Sequence, residues 1–408
     1  MTDVIVVGGG PAGLACALEL RRRGGGDVLV VEREAQAGGI PRHSTHQGFG
    51  LRDFHRVLSG PRYARRYAER ARSAGVEVLE QAMVTSWSAD GTLELTSPVG
   101  RESLRAPAVV LATGCRERPR SARLVPGSRP EGVLTTGLLQ QLALKGMPVG
   151  SRALVVGAEH VSFSAVVTLA HAGAKVVGMT TELPRHQTLA LFRAGAALRY
   201  RFPLWTRTAI ARISGRSRVE EVELLELESG QTRVVACDTV VFTADWIPDH
   251  ELAVMGGLEL DPGTRGPRAD TGLRTTRPGI FAAGNVLHGA EPADIAALSG
   301  RHAAGSVARW LASDGSWPAV VPIECAPPLH WISPNAIGPN AGPPPRDRFL
   351  LRPRTFVRRP AVEIRQDGRL LWSGGARLTP GRSTLLPCDW VRAVDALGGP
   401  VQVSTRAG

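Results

Sequence analysis

The sequence predicts an α/β protein with two Rossmann-like dinucleotide-binding domains, the second inserted into the first, and a small β-rich module at the C-terminal end. An apolar strand at 4–7 runs into a glycine-rich turn at 8–13, which opens a helix and a further strand. A second such unit begins with the apolar run 153–156 and turns at Gly157. Beyond Trp317, proline clusters and short alternating segments replace this pattern. Two strand–turn–helix–strand units in one chain favour two domains of this type.

Length and hydropathy place the chain among soluble multidomain proteins. Its 408 residues, 43% of them hydrophobic, are enough for two or three packed domains. No basic leader with an apolar core and a cleavage site follows Met1, so no secretory signal is predicted. The longest apolar run, 4–20, contains four glycines and Glu19, which argues against a membrane span. We therefore expect a soluble, cytoplasmic protein.

The positive charge and the cysteines each exclude a class of function. The net charge of +12 comes almost entirely from arginine, because lysine occurs only at Lys145 and Lys175. The arginines form short scattered groups without interleaved aromatic residues, which argues against nucleic-acid binding. None of the five cysteines lies within three residues of another. The sequence therefore predicts reduced thiols, without a redox Cys-x-x-Cys pair, an Fe–S cluster or a metal site.

The first turn (8–13), with the sequence Gly-Gly-Gly-Pro-Ala-Gly, satisfies the G-x-G-x-x-G pattern. Gly8 permits a tight exit from the strand, and Gly10 lets backbone N–H groups approach a pyrophosphate. Gly13 lets the helix lie close to the strand. Glu32 stands 19 residues after Gly13, at the end of the second strand, where a carboxylate can accept both ribose hydroxyls. Turn, flanking strands and acid together predict a bound dinucleotide.

Later motifs identify the dinucleotide by resemblance. Gly38–Gly39 closely follow Glu32, Ala-Thr-Gly occupies 112–114, and Gly-Ile-Phe-Ala-Ala-Gly-Asn occupies 279–285. With these motifs, residues 1–312 resemble FAD-dependent oxidoreductases of the pyridine nucleotide-disulphide oxidoreductase type, without the redox disulphide. The resemblance implies FAD as the cofactor. The residues that it places around FAD are Gly8, Gly10, Pro11, Ala12, Gly13, Glu32, Arg33, Gly38, Gly39, Ala112, Thr113, Gly114, Gly284 and Asn285.

Further motifs resemble one branch of that family. They are the segments HQGFG at 46–50, LSGPRYA at 58–64, GCRERPR at 114–120, VPGSRP at 125–130 and GNVLH at 284–288. Flavoproteins of this branch accompany glycerol-3-phosphate, opine and hydroxyproline dehydrogenases, so the resemblance implies a partner dehydrogenase subunit. In the wider family an aspartate that contacts the ribityl chain often stands where this chain has Asn285. An amide can also fill that role, as donor and acceptor.

The domain boundaries follow from the strands that lead to these motifs. We predict an FAD-binding domain in two parts, 1–123 and 246–316, an inserted NAD(P)-type domain at 124–245, and a β-rich module at 317–408. Within the module, Asp367–Gly368 predicts a type I′ hairpin. The module follows the natural end of the flavin fold and is rich in proline and tryptophan. We therefore interpret it as a docking surface for the partner that could be removed without loss of FAD.

The second turn (157–162), Gly-Ala-Glu-His-Val-Ser, departs from the dinucleotide-binding pattern. It retains only Gly157 of the three glycines. Glu159 places bulk and negative charge where the backbone would meet a pyrophosphate. The sequence therefore predicts that NAD(P)H binding has been lost, which makes NAD(P)H a doubtful cofactor. The alternative is a nucleotide that binds with a shifted turn.

Two groups of side chains could act on a substrate. His46 follows the turn at 38–39, where the chain passes the flavin ring, and could orient a substrate or move a proton. The alternative is a loop histidine that is hydrogen-bonded to the backbone. Arg116, Arg118 and Arg120 could bind an anionic substrate or a pyrophosphate, or could form a solvated loop at a domain junction.

The function predicted from the sequence is that of an FAD-dependent oxidoreductase. We expect the flavoprotein subunit of a dehydrogenase or oxidase that acts on a small amino, imino or hydroxy acid. One alternative is an NAD(P)H-dependent flavin reductase that uses the inserted domain. Another is a non-catalytic scaffold subunit that keeps the FAD fold for assembly.

Overall fold

The computed structural model describes residues 2–340, 342–358 and 360–406. The chain forms two compact units, one of Met1–Arg116 with Ile247–Gly408 and one of Glu117–Trp246. The chain therefore leaves the first unit, builds the second and returns. The predicted insertion at 124–245 lies inside the second unit, and the predicted C-terminal module belongs to the first.

A parallel sheet forms the centre of the first unit. Its five strands lie in the order Ile280–Ala282, Ala108–Leu111, Val4–Val7, Val28–Val31 and Glu77–Leu79. The three central strands are buried at every residue, which fits their continuous apolar sequences, because helices cover both faces of such a sheet. Helices Pro11–Arg22 and Ala293–Leu311 pack against each other beside it. Their N-termini therefore lie near the carboxyl ends of the strands, where ligands of such sheets bind.

Smaller elements complete this part of the first unit. They are helices Gly60–Ser73 and Glu251–Met255, the strand pair Gln47–Phe49 and Leu58–Ser59, and an antiparallel sheet of Met83–Trp87, Leu93–Ser97 and Gly100–Leu104. Short strands at Cys115–Glu117 and Trp246–Pro248 border the second unit. No helix in the described ranges is both long and apolar enough to cross a membrane.

The C-terminal module is built from two sheets. One has the order Ala336–Ile337, Val321–Cys325, Val401–Arg406, Ala361–Gln366 and Arg369–Gly375, and the other has the order Leu329–Ser333, Phe349–Pro353 and Thr384–Leu386. Both residues of the predicted hairpin turn, Asp367 and Gly368, have positive φ angles, as a type I′ turn requires. Trp331 and Trp390 are buried, whereas Trp372 is half-buried. Two of the module's tryptophans therefore pack inside the unit.

The second unit has a parallel sheet and a separate antiparallel one. The parallel strands lie in the order Val133–Thr135, Thr239–Phe242, Arg152–Val156, Lys175–Thr180 and Leu204–Trp205. The helices are Thr136–Leu144, His160–His171 and Ala190–Tyr200, and the antiparallel strands are Thr208–Ser214, Glu221–Glu226 and Thr232–Ala236. The strand Arg152–Val156, the second turn and helix His160–His171 reproduce the opening of the first unit. This unit is therefore also Rossmann-like.

Candidate functional site

The first turn shows which of its glycines the fold itself requires. A Cβ atom at Gly13 would lie 2.0 Å from the carbonyl oxygen of Gly8, so the helix could not approach the strand with a larger residue there. Gly10 differs, because its φ of −79° suits any residue. A Cβ atom at Gly10 would meet only the Cα atom of Gly39, at 3.9 Å. The space in front of Gly10 is therefore unfilled by the protein, as a pyrophosphate site requires.

The helix that follows the first turn leaves its N-terminus open. In the described part of the chain, no side chain caps helix Pro11–Arg22, and no acidic residue stands in its first turn. Its first N–H groups, including those of Ala12 and Gly13, have no intrahelical partners, and the helix dipole favours an anion there. Pro11 opens the helix and has no N–H group to leave unsatisfied. The residues present thus fit the pyrophosphate of FAD.

Glu32 lies directly beside this turn. One of its carboxylate oxygens accepts the N–H of Gly9 at 2.9 Å, and the other accepts the N–H of Glu34 at 2.8 Å. Burial raises the pKa of Glu32, while these two N–H groups and the nearby Arg42 and Arg33 lower it. Each oxygen keeps a further lone pair. The carboxylate is therefore held in place by the backbone and can still accept ribose hydroxyls.

Replacing Glu32 by alanine is expected to weaken FAD binding by about 1–3 kcal/mol, because the buried N–H of Gly9 and the ribose lose their acceptor. Titration of the apoprotein with FAD, followed by flavin fluorescence, measures the change. Gln36→Ala is the matched control, since Gln36 is exposed in the same loop. Equal affinities of the Glu32 and Gln36 variants would remove Glu32 from the site.

The other predicted cofactor residues surround the same turn. The N–H of Gly38 donates to the carbonyl of Gly9 at 2.7 Å, and that of Ala112 donates to the carbonyl of Val7 at 2.8 Å. The Thr113 hydroxyl donates to the carbonyl of Asp249 at 2.7 Å. Gly39 lies beside Gly10, and Gly284 lies beside Ala12. Gly114 directly follows Thr113 in the chain. Arg33 is exposed, 3.8 Å from the carboxylate of Asp249.

Asn285 has a role in the protein that the sequence did not predict. Its side-chain Nδ2 donates to the carbonyl of Glu291 at 3.1 Å, and its Oδ1 accepts the N–H of Glu291 at 3.0 Å. The amide therefore closes the loop between Gly284 and helix Ala293–Leu311. One N–H and one lone pair remain, so the amide still has the groups for the ribityl contact.

The arginines after Gly114 are engaged within the protein. Arg116 binds the carboxylates of Asp249 and Glu251. Arg118 lies 3.3 Å from the carboxylate of Asp245. The guanidinium of Arg120 donates to the carbonyl oxygens of Val125, Pro126 and Ser128. These contacts favour the interpretation of the segment as a structural loop over an anion-binding site.

His46 also has local contacts. Its Nδ1 lies 2.9 Å from the carbonyl oxygen of Gln47, and its ring stacks on Phe49 with centroids 5.3 Å apart. The contact with a neighbouring backbone group favours the loop alternative for His46. Its catalytic role stays a prediction.

The second turn differs from the first in how its helix begins. Helix His160–His171 has Glu159 as its N-cap, and the Glu159 carboxylate accepts the backbone N–H of Ser162. The Ser162 hydroxyl in return accepts the N–H of Glu159 at 3.0 Å and lies 2.7 Å from the Thr243 hydroxyl. This capping box places the chain's own carboxylate on the N–H groups that would hold a pyrophosphate.

Sequence reasoning missed two groups beside the predicted flavin region. The buried carboxylate of Asp53 accepts the hydroxyls of Tyr63 and Tyr67 at 2.7 and 2.8 Å, and burial raises the pKa of both tyrosines. Arg52 pairs with Asp294, in the first turn of helix Ala293–Leu311, at 3.0 Å. No local signal marks either group, because their members come together only through the fold.

Fold and site together define a flavoprotein oxidoreductase with two dinucleotide-binding domains. The sequence pattern of the pyridine nucleotide-disulphide oxidoreductase family matches residues 2–300, and the chain belongs to that family. Membership confirms the predicted resemblance, the fold class, the cofactor FAD and an FAD-dependent oxidoreductase activity.

Curated relatives include reductases and components of larger enzymes. The chain is 27% identical to thioredoxin reductase of Treponema pallidum over 296 residues, which are 70% of this chain and 88% of the relative. It is 27% identical over 336 residues to one of the subunits of opine oxidase from Agrobacterium tumefaciens, covering 74% of this chain and 64% of that relative. Both are therefore distant relatives.

Solved structures show the same fold. Thioredoxin reductase of Lactococcus lactis is 19% identical, with a TM-score of 0.64, and the match covers 76% of this chain and 99% of the other. L-proline dehydrogenase from P. horikoshii is 17% identical, with a TM-score of 0.56, over 77% of this chain and 56% of that one. At these identities the likeness concerns the fold alone.

Proposed function

We propose that this chain is the flavoprotein subunit of a dehydrogenase or oxidase for a small amino, imino or hydroxy acid, and that NAD(P)H is not its electron donor. The observation that carries the proposal is the contrast between the two turns. Helix Pro11–Arg22 begins without a side-chain cap, whereas helix His160–His171 begins with the carboxylate of Glu159. The N-terminus of the first helix therefore suits a dinucleotide pyrophosphate, whereas the carboxylate at the N-terminus of the second helix repels one.

The names of the relatives support a partner protein. The opine oxidase relative is by name one subunit of a larger enzyme. So is the glutamate synthase [NADPH] small chain of Mycobacterium tuberculosis, which is 28% identical over 369 residues. By analogy we propose a partner dehydrogenase subunit for this chain, and a cytoplasmic location. The opine oxidase relationship favours an amino-acid-derived substrate.

The cysteines argue against the disulphide chemistry after which the family is named. The five cysteines are free, and none is within three residues of another. Burial raises the pKa of Cys16 to about 12 and that of Cys237 to about 11, so neither forms a thiolate readily. We therefore do not assign this chain the thiol–disulphide exchange of a thioredoxin reductase.

Bound FAD would supply two-electron acceptance and transfer to a further acceptor. The role of the protein is to bind and orient the cofactor. The open N-terminus of helix Pro11–Arg22 would hold the pyrophosphate, Glu32 would hold the ribose, and Asn285 would fix the loop beside the ribityl chain.

Stopped-flow absorbance with NADH and NADPH tests the proposal. We expect slow bleaching of the flavin without saturation in the native protein. Glu159→Gly with Ser162→Gly removes both the cap and its bulk, and should increase NAD(P)H affinity. Glu159→Gln is the matched control, because it removes the charge but keeps the bulk. Rapid, saturable bleaching of the native protein at micromolar NADH would establish the reductase alternative.

A further inference from the structure

A small cavity within the first unit joins the predicted cofactor loop to the C-terminal module. Its polar lining includes Asn285, His288 and Glu291 from the cofactor loop and Arg346 and Arg348 from the module. Its volume is about 30 Å³. That is room for roughly two water molecules, or for the two oxygen atoms of one carboxylate group.

The charges that line the cavity favour an anion. Glu291 already pairs with Arg352 at 3.0 Å, and both side chains are only 11% exposed. Arg346 and Arg348 are exposed at the opening, and neither has a carboxylate within ion-pair distance among the described residues. The intervening Asp347 does not line the cavity. Two arginines therefore remain for a negatively charged group.

His288 provides an independent indication of a ligand. The residue is 6% exposed, and its ring stacks on Trp331 with centroids 5.1 Å apart. Its Nδ1 is buried without a hydrogen-bond partner in the part of the chain that the structure describes. Burial lowers the pKa of His288 to about 4, against a smaller opposing effect of a hydrogen bond to the Gly289 backbone, so the ring is neutral at pH 7. In the tautomer that carries its proton on Nδ1, this unpartnered nitrogen can donate to a ligand. An unpartnered buried polar atom is unfavourable and is commonly satisfied by a ligand or water.

We propose that this cavity binds the carboxylate group of a small organic acid, through Arg346, Arg348 and His288. Leu287, Ile295 and Leu350 give the rest of the wall an apolar character that suits the carbon atoms next to a carboxylate. Gly284 and Asn285, members of the predicted FAD set, also line it. That the bound acid is the substrate, with its carbon atoms directed to the flavin, rests on the proposed function.

Isothermal titration calorimetry of the full-length FAD-loaded protein with acetate tests the cavity. Acetate should bind saturably, whereas acetamide, which has the same shape without the charge, should not. Arg346→Gln with Arg348→Gln should weaken acetate binding at least about tenfold, as expected for lost charge-assisted hydrogen bonds. Arg382→Gln is the matched control, because Arg382 is exposed elsewhere in the module.

The proposal would be overturned by no acetate binding, by equal binding of acetate to the double variant, or by binding of inorganic phosphate in place of acetate. Loss of FAD from the double variant would assign the arginines to the cofactor and would also overturn it. The proposed function fails separately, through rapid NADH bleaching or absence of turnover with a partner. Calorimetry still reports on the cavity in either case.

Discussion

Replacing Gly10 by leucine is expected to abolish FAD binding while the protein stays folded. The φ of Gly10, −79°, is open to leucine, and a Cβ atom there has only the Cα of Gly39, at 3.9 Å, within van der Waals range. The side chain would instead fill the space in front of helix Pro11–Arg22, where we place the pyrophosphate of FAD. Loss of two charge-assisted hydrogen bonds corresponds to about 3–6 kcal/mol of binding free energy.

Visible absorbance after reconstitution with excess FAD measures the loss, and circular dichroism checks the fold. Gly13→Ala is the informative comparison, because its Cβ would lie 2.0 Å from the Gly8 carbonyl oxygen and should disrupt the packing of the helix. Gly10→Leu should therefore give a folded apoprotein, and Gly13→Ala a destabilised one. A yellow Gly10→Leu protein with native affinity would show that the pyrophosphate lies elsewhere.

Replacing Arg352 by alanine is expected to lower the free energy of unfolding by about 3–5 kcal/mol, the usual cost of breaking a buried ion pair. The guanidinium binds the Glu291 carboxylate at 3.0 Å and the Ala290 carbonyl at 2.7 Å. It also lies over the Trp331 ring, 5.2 Å from its centroid. The substitution would leave Glu291 buried without its cation and would loosen the loop that Asn285 closes.

Chemical denaturation and FAD titration test this prediction together. Arg354→Ala serves as the control, because Arg354 is exposed two residues away in the same module. The double variant Glu291→Ala with Arg352→Ala should recover part of the lost stability, because no uncompensated charge remains. Equal stability of the Arg352 and Arg354 variants would show that the module does not support the cofactor loop.

These contacts argue against the interpretation of the C-terminal module as a removable docking surface. Besides Arg352, the Asn335 Oδ1 accepts the N–H of Ala269 at 2.8 Å, and the Asn335 N–H donates to the carbonyl of Ala269 at 3.1 Å. The module and the FAD-binding domain belong to the same compact unit. Because truncation before Pro318 would expose these buried partners, it should cost both stability and FAD binding.

Much of the fold could be predicted because its signals are local. The first turn, the apolar strands around it and the spacing to Glu32 indicated a dinucleotide-binding domain directly. The hairpin at Asp367–Gly368 followed from residues that tolerate positive φ. The departure of the second turn from the pattern was also visible, because Glu159 stands where the pattern has its second glycine. The start of the second helix at His160 depends on a capping box that forms with the fold.

By itself the sequence determined the strands, the two glycine turns, the FAD-binding class and the carboxylate at the second turn, because backbone conformation and helix capping depend on neighbouring residues. Only the tertiary structure decided which distant side chains meet. In the structure Asn285 is hydrogen-bonded to the Glu291 backbone, Glu291 forms an ion pair with Arg352, and Arg116 forms one with Asp249. Such pairs join residues far apart in the chain. Their partners are set by how sheets and helices pack, which no local pattern records.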